Sequence, residues 1–299
     1  MIFIAYHPCY ELELPKGHRF PMDKYPMLRE QLIYEGTFSK ENFFTPKKLD
    51  RNIIEEVHNK NYVKKLLNLS LNKSEARKIG FPLSKKLINR EMTIAGGTFE
   101  CCIKAFDNGI SFNIAGGTHH AFSDRAEAFC LLNDQAIAAQ HLINKYKIRK
   151  ILIIDLDVHQ GNGTAEIFKK NKKVFTFSMH GKKNYPFQKT KSDLDIELLD
   201  GTEDQQYLNI LNEKLNMILN KIKPEFIFYL SGVDILKTDK LGRLNMTIEG
   251  CKLRDEIVLS KCFENRIPVQ CSMGGGYSEE LKIILEAHSN TFRIASKIF

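Results

Sequence analysis

The chain has 299 residues, 43% hydrophobic and 27% charged, a balance that excludes a disordered, fibrous or low-complexity protein. Lysine and arginine number 44 against 36 aspartate and glutamate, a formal net charge of +8. The lysine pairs (Lys47-Lys48, Lys64-Lys65, Lys85-Lys86, Lys169-Lys170, Lys172-Lys173, Lys182-Lys183) are scattered and build no basic block of the kind that binds nucleic acid.

From the start, Met1 to His7 is a short apolar run with no basic leader or cleavage site, so it reads as a first strand, Ile2–Tyr6, and not as a signal peptide. Further strand-length runs follow at Ile110–Ala115, Lys150–Leu156, Val174–Ser178, Phe226–Ser231 and Ile267–Ser272, rich in Ile, Phe and Val and nearly continuous in apolarity. Strands covered on both faces read that way. Amphipathic segments of helical period alternate with them at Asn133–Tyr146, Gln205–Ile222, Ile248–Glu264 and Glu279–Phe299. The alternation predicts an α/β fold with a mainly parallel sheet, and no linker or composition break divides residues 1–299. No apolar run reaches the ~18 residues a membrane helix needs. Seven cysteines, none in a C-x-x-C spacing, predict reduced thiols and a cytoplasmic location.

The glycines, histidines and aspartates gather where these runs end. Gly116-Gly117-Thr118-His119-His120-Ala121 follows the second run, and Asp157-Val158-His159-Gln160-Gly161-Asn162-Gly163 follows the third, with Asp155 just before it. Gly232-Val233-Asp234 and Met273-Gly274-Gly275-Gly276-Tyr277 follow two others. Ligands of open parallel sheets bind beyond the carboxyl ends of the strands, so these clusters are expected to share one site. Asp155, Asp157 and His159 are spaced by two and point to one side of an extended backbone. With Asp234 they offer an Asp/His/Asp set that leaves a fourth position open, the pattern of a catalytic zinc site, and the same donors accept Fe(II). His119 and His120, placed opposite that set, suit acid/base work. Tyr277, after three glycines, suits donation to a developing oxyanion. Neither glycine run has the spacing of a phosphate loop.

Together these residues resemble the metal-dependent histone deacetylases of the arginase/deacetylase superfamily. The resemblance runs from Gly17-His18-Arg19-Phe20-Pro21-Met22 through the His119-His120 and Asp155-to-His159 motifs, Phe129-Cys130-Leu131-Leu132-Asn133-Asp134 and Asn245-Met246-Thr247, to Gly274-Gly275-Gly276-Tyr277. Within that family, Gln160-Gly161-Asn162-Gly163 and the compact length look most like class IV and its bacterial relatives. The resemblance implies a three-layer α/β/α domain in which Asp157, His159 and Asp234 hold zinc. It makes His119 and His120 the paired general base and acid, and Tyr277 the donor to the carbonyl oxygen. Asp155, Ser178 and the Met179 carbonyl correspond to ligands of a structural potassium ion, and Phe129 and Gly275 to the walls of the acyl-lysine channel. The implied reaction removes an acetyl or longer acyl group from lysine side chains of a protein or peptide, with a small acylated amine such as an acetylpolyamine as the alternative substrate. Arginase-like two-metal chemistry lacks its second aspartate cluster here. A non-catalytic acyl-lysine or nucleic-acid binding module would have no use for Tyr277 and a full ligand set. Two positions depart from the family pattern: Asn162 stands behind His120 where Asp is frequent, and Ala128 precedes Phe129 where Gly is usual.

Overall fold

The computed structural model describes residues 1–299. Its strands are β1 (Phe3–Ala5), β2 (Phe43–Phe44), β3 (Ile110–Asn113), β4 (Ile151–Asp155), β5 (Val174–Gly181), β6 (Leu194–Leu198), β7 (Phe226–Leu230) and β8 (Val269–Ser272). They form one sheet in the order β2-β1-β3-β8-β7-β4-β5-β6. Every neighbouring pair is parallel. The helices are α1 (Lys24–Tyr34), α2 (Arg51–Ile54), α3 (Lys60–Leu67), α4 (Lys73–Ile79), α5 (Lys85–Asn108), α6 (Asp134–Lys145), α7 (Asn162–Phe168), α8 (Asp204–Ile222), α9 (Ile248–Glu264) and α10 (Leu281–Ile298).

Period-2 alternation divides the sheet between two apolar layers. Leu152 and Ile154 of β4 and Ile227 and Tyr229 of β7 pack into the layer that holds Leu211, Val258 and Ile284 of α8, α9 and α10. Ile151 and Ile153, with Phe226 and Phe228, face Cys102 of α5, Ala138 and Leu142 of α6, and Phe168 of α7. The result is the α/β fold with a parallel sheet that the alternation predicts, in the three-layer form the resemblance implies. Every residue of β3, β4, β7 and β8 is buried, whereas the edge strands β2 and β6 are mostly half-buried.

Helix starts carry their own signals. Asn133 accepts a hydrogen bond from Ala136 N at 3.1 Å to cap α6, and Thr247 accepts one from Gly250 N at 2.9 Å to cap α9. Helix α5, absent from the sequence reading, runs straight through Gly96-Gly97. A Cβ on Gly96 would lie 1.9 Å from the Lys47 carbonyl oxygen, so glycine serves there for close backbone approach and not to end the helix.

The order of the sheet decides where the chemistry falls. Strands β3, β8, β7 and β4 are contiguous and parallel, so the four polar clusters that follow them leave the same edge side by side. Beneath that edge Arg254 of α9, fully buried, donates from Nη1 to the carbonyls of Leu156 (3.4 Å) and Gly232 (2.5 Å), and from Nη2 to that of Ser231 (3.2 Å). Its charge is matched by Asp255 at 2.7 Å, which also accepts from Tyr229 and Thr291 hydroxyls. Removing one member of such a buried pair strands the other. Arg254→Ala should therefore lower unfolding stability by about 3–5 kcal/mol, measured as the shift of a urea-denaturation midpoint. Arg254→Lys should recover only part of it, because an ammonium lacks the planar fork that reaches three carbonyls.

Candidate active site

A cavity of about 620 Å³ opens above the shared strand edge, and His119, His120, Phe129, Asp157, His159, Gly275 and Tyr277 all line it. Asp157 and His159 come from the turn after β4, and Asp234 from the turn after the adjacent β7. All three are buried, and their donor atoms lie within 4.8 Å of one another. His159 Nδ1 lies 2.9 Å from Asp157 Oδ1 and 3.1 Å from Asp234 Oδ2. Backbone amides orient the carboxylates: Val158 N donates to Asp234 Oδ1 at 2.9 Å and Gly275 N to Asp157 Oδ2 at 2.7 Å. Gly275 closes this cradle only because it has no side chain. A Cβ there would sit 2.0 Å from Asp234 Oδ2 and 2.8 Å from Asp157 Oδ2.

The electrostatics of the trio ask for a cation. Burial, and then the charge of Asp157, raise the Asp234 carboxyl to about 7. Burial opposes protonation of His159, but its hydrogen bonds to Asp157 and Asp234 outweigh that and lift it to about 10. Two dry carboxylates thus draw positive charge onto their neighbour. A nitrogen and oxygen donor set, buried, convergent and held apart from any side chain at Gly275, fits a divalent metal ion.

The ring centroids of the two histidines lie 4.1 Å apart at a 50° tilt, with different partners behind them. His119 Nδ1 donates to Asp155 Oδ2 at 2.7 Å, and His120 Nδ1 to Asn162 Oδ1, also at 2.7 Å. The Nε2 atoms are therefore the nitrogens left for chemistry. Burial lowers both imidazoles, but the charges of Asp155 and Asp157 more than restore His119, which ends above its ordinary value. His120 has no such carboxylate at its back. Burial and the neighbouring imidazoles hold it well below, so it is the neutral member of the pair.

Tyr277 is half-buried beyond the glycine run, its ring 6.5 Å from that of His159. Burial and the charges of Asp157 and Asp234 push its phenol well up, so the hydroxyl stays a donor. Phe129 stands opposite, 6.3 Å from the Tyr277 ring and 5.2 Å from that of Phe20, giving the cavity aromatic walls. Ala128 and Phe129 both take positive φ, 43° and 68°. Their amides donate to the carbonyls of Lys78 (3.0 Å) and Ile79 (2.7 Å), which pins this lip against the end of α4. Ser178 is the register partner of Asp155, and its hydroxyl lies 2.9 Å from His180 Nδ1. Met179 continues the same buried strand.

Four residues that sequence reasoning passed over also shape the site. Asp239 accepts from Tyr277 N at 2.6 Å and so fixes where that residue starts. Tyr185 packs its ring perpendicular to His120, 4.9 Å away. Lys24, fully buried, donates to the Gly274 carbonyl at 3.2 Å, and burial brings it down to about 8 against the pull of Asp234 and Asp157. Arg254 braces the loops from below. Lys24 and Arg254 look like surface cations in a one-dimensional reading, and nothing local marks Asp239 or Tyr185.

Comparison with known proteins bears on this geometry. The family model described as histone deacetylase domain matches residues 18–292. An uncharacterized protein of Picosynechococcus sp. is 41% identical over 296 residues, covering 99% of this chain and 99% of its own length. Histone deacetylase 2 of Arabidopsis thaliana is 27% identical over 305 residues, covering 98% of this chain and 79% of that relative. Among solved structures, that of an HDAC homologue from Aquifex aeolicus has a TM-score of 0.83 at 22% identity, covering 100% of this chain and 84% of its own, a likeness of fold alone.

The unequal backing of the two imidazoles has a direct test. Asn162→Asp places a carboxylate where His120 now meets a neutral oxygen, which stabilises the imidazolium. The titration midpoint of His120, followed by histidine-selective NMR, should move to higher pH. An unmoved midpoint in a folded variant would show that Asn162 does not set the basicity of His120.

Proposed function

The chain belongs to the histone deacetylase family, and from that premise we propose that it is a metal-dependent amidohydrolase that removes an acetyl or longer acyl group from lysine side chains. One observation carries the reading: two imidazoles with different partners, a tyrosine, and Asp157 and His159 of a buried Asp/His/Asp donor set all border one aromatic-walled cavity, with Asp234 directly behind them.

Asp157, His159 and Asp234 would hold the ion, which we assign as zinc, Fe(II) being the other ion such donors accept. When bound, a divalent cation supplies Lewis acidity toward a carbonyl oxygen and acidifies a water molecule to a pKa of about 7. The chain's own groups do the rest. The aromatic walls of Phe20, Phe129 and Tyr277 receive the methylene chain of the acyl-lysine and exclude bulk water. His120, neutral and with Nε2 free, accepts a proton from the attacking water as its oxygen bonds to the acyl carbon. The Tyr277 hydroxyl donates to the oxygen of the former carbonyl as it gains charge. His119, kept more basic by Asp155, stands ready as the protonated partner, and the pair delivers a proton to the lysine nitrogen as the C–N bond breaks. The products are a carboxylate and a free amine. A structural potassium ion suits the oxygen donors of Asp155, Ser178 and the Met179 carbonyl at the base of this arrangement. We place the activity in the cytoplasm on the strength of seven free cysteines.

Two variants test the assignment. Asp234→Ala leaves two ligands and should lose both stoichiometric metal, read by elemental analysis, and turnover of an acetyl-lysine peptide. Full turnover with zinc retained would remove Asp234 from the ligand set. Tyr277→Phe should keep its metal while kcat falls about 10²–10³-fold, the usual cost of one oxyanion donor. A kcat near that of the parent would take Tyr277 out of the mechanism.

A further inference from the structure

The mouth of the cavity is lined by four cationic side chains from four separate stretches of chain. Arg19 precedes α1, Lys78 lies in the last turn of α4, Lys183 follows β5, and Arg243 lies between β7 and α9. All four are exposed. They fall into two pairs. Arg19, its guanidinium 5.0 Å from the Phe129 ring centre, and Lys78, whose carbonyl holds Ala128 N, flank the Ala128–Phe129 lip. Lys183 and Arg243 share a single carboxylate, Asp200, at 3.5 Å and 3.3 Å.

Carboxylate is scarce at this mouth. Glu127 is the one acidic residue lining the rim, and both of its oxygens are engaged, Oε1 by Arg125 Nε at 3.0 Å and Oε2 by the Tyr185 hydroxyl at 2.7 Å. Arg19 and Lys78 form none of the ion pairs that engage other surface cations such as Arg51, Lys65 and Arg293. With Glu127 and Asp200 set against the four cations, the rim keeps a positive excess where substrate must pass. A cleft lined by one sign of charge attracts the opposite sign and repels its own.

We propose that the substrates of this enzyme present the acyl-lysine within an acidic segment, with aspartate or glutamate on both sides of it. The inference rests on the proposed deacylase reading and narrows its substrate class. As the acyl-lysine side chain descends between Phe129 and Tyr277, the flanking residues of the peptide lie across the rim. Carboxylates there meet Arg19 and Lys78 on one side and Lys183 and Arg243 on the other. Flanking lysines or arginines, or the free ammonium groups of a polyamine, meet the same four cations and are repelled.

The test uses the metal-loaded enzyme and three acetyl-lysine peptides of equal length, flanked by aspartate and glutamate, by serine and glycine, or by lysine and arginine. The expected order of kcat/KM is acidic, neutral, basic, with about tenfold or more between the extremes, carried mainly by KM and shrinking as salt is raised. Lys78→Glu combined with Arg243→Glu should reverse the order. The salt titration of the unaltered enzyme gives the same readout should that variant not fold. An acetylpolyamine should be a poorer substrate than the acidic peptide. Turnover of the neutral peptide with no ordering by charge, or with the basic peptide preferred, would overturn this inference and leave the deacylase reading intact. Failure of all three peptides would overturn both.

Discussion

Asp157 and Asp234 reach the same dry volume from the ends of two adjacent strands, and two unneutralised carboxylates cannot stay there on backbone amides alone. Much of the surrounding structure answers that constraint. Gly275 gives up its side chain so that the oxygens can converge, Val158 N and Gly275 N orient them, and His159 shares its ring nitrogen with both. Arg254 and Lys24 hold the loops from within the protein, Arg254 gripping three backbone carbonyls and Lys24 that of Gly274. Each of these supports is buried, and His159 is drawn toward its protonated form because amides orient the two carboxylates without cancelling their charge.

The same logic explains the inequality of the histidines. A carboxylate behind His119 and an amide behind His120, at the same 2.7 Å distance, impose one geometry and two basicities. Adjacent rings of equal basicity would compete for one proton. Here the carboxylate behind His119 biases the proton toward that ring and leaves His120 the less basic one.

Much of this was legible in the amino-acid sequence, for a physical reason. Central strands of a parallel sheet must be apolar on both faces, so Ile151–Asp155 and Phe226–Leu230 stand out, and the polar residues that follow them mark the site edge. Helix α6 is announced by its cap at Asn133. The edge strand β6 was hidden because Leu194-Asp195-Ile196-Glu197-Leu198 carries acids on a half-exposed face, and α5 was not among the predicted helices, its two mid-helix glycines being poor helix formers. Asp155 and Asn162 were matched to their histidines by the family resemblance, and the contacts at 2.7 Å bear the pairing out. Asp239, Lys24, Tyr185 and Arg254 were not matched to anything, since each acts on a segment brought to it only by the finished fold. The rim charges escaped for the same reason: four cations far apart along the chain form a patch only when the loops meet.

The sheet order also sets when the site can exist. Strand β8 enters between β3 and β7, and β7 enters between β8 and β4, although β3 and β4 are synthesised long before either. A growing chain that has reached Asn162 therefore owns two members of the Asp/His/Asp set, both histidines and their partners, but not Asp234. Asp234 arrives with β7, and the amide of Gly275 and the hydroxyl of Tyr277 arrive only after β8 has been inserted. The Asp/His/Asp set and the amides that orient it are complete only when the last strand of the sheet is in place.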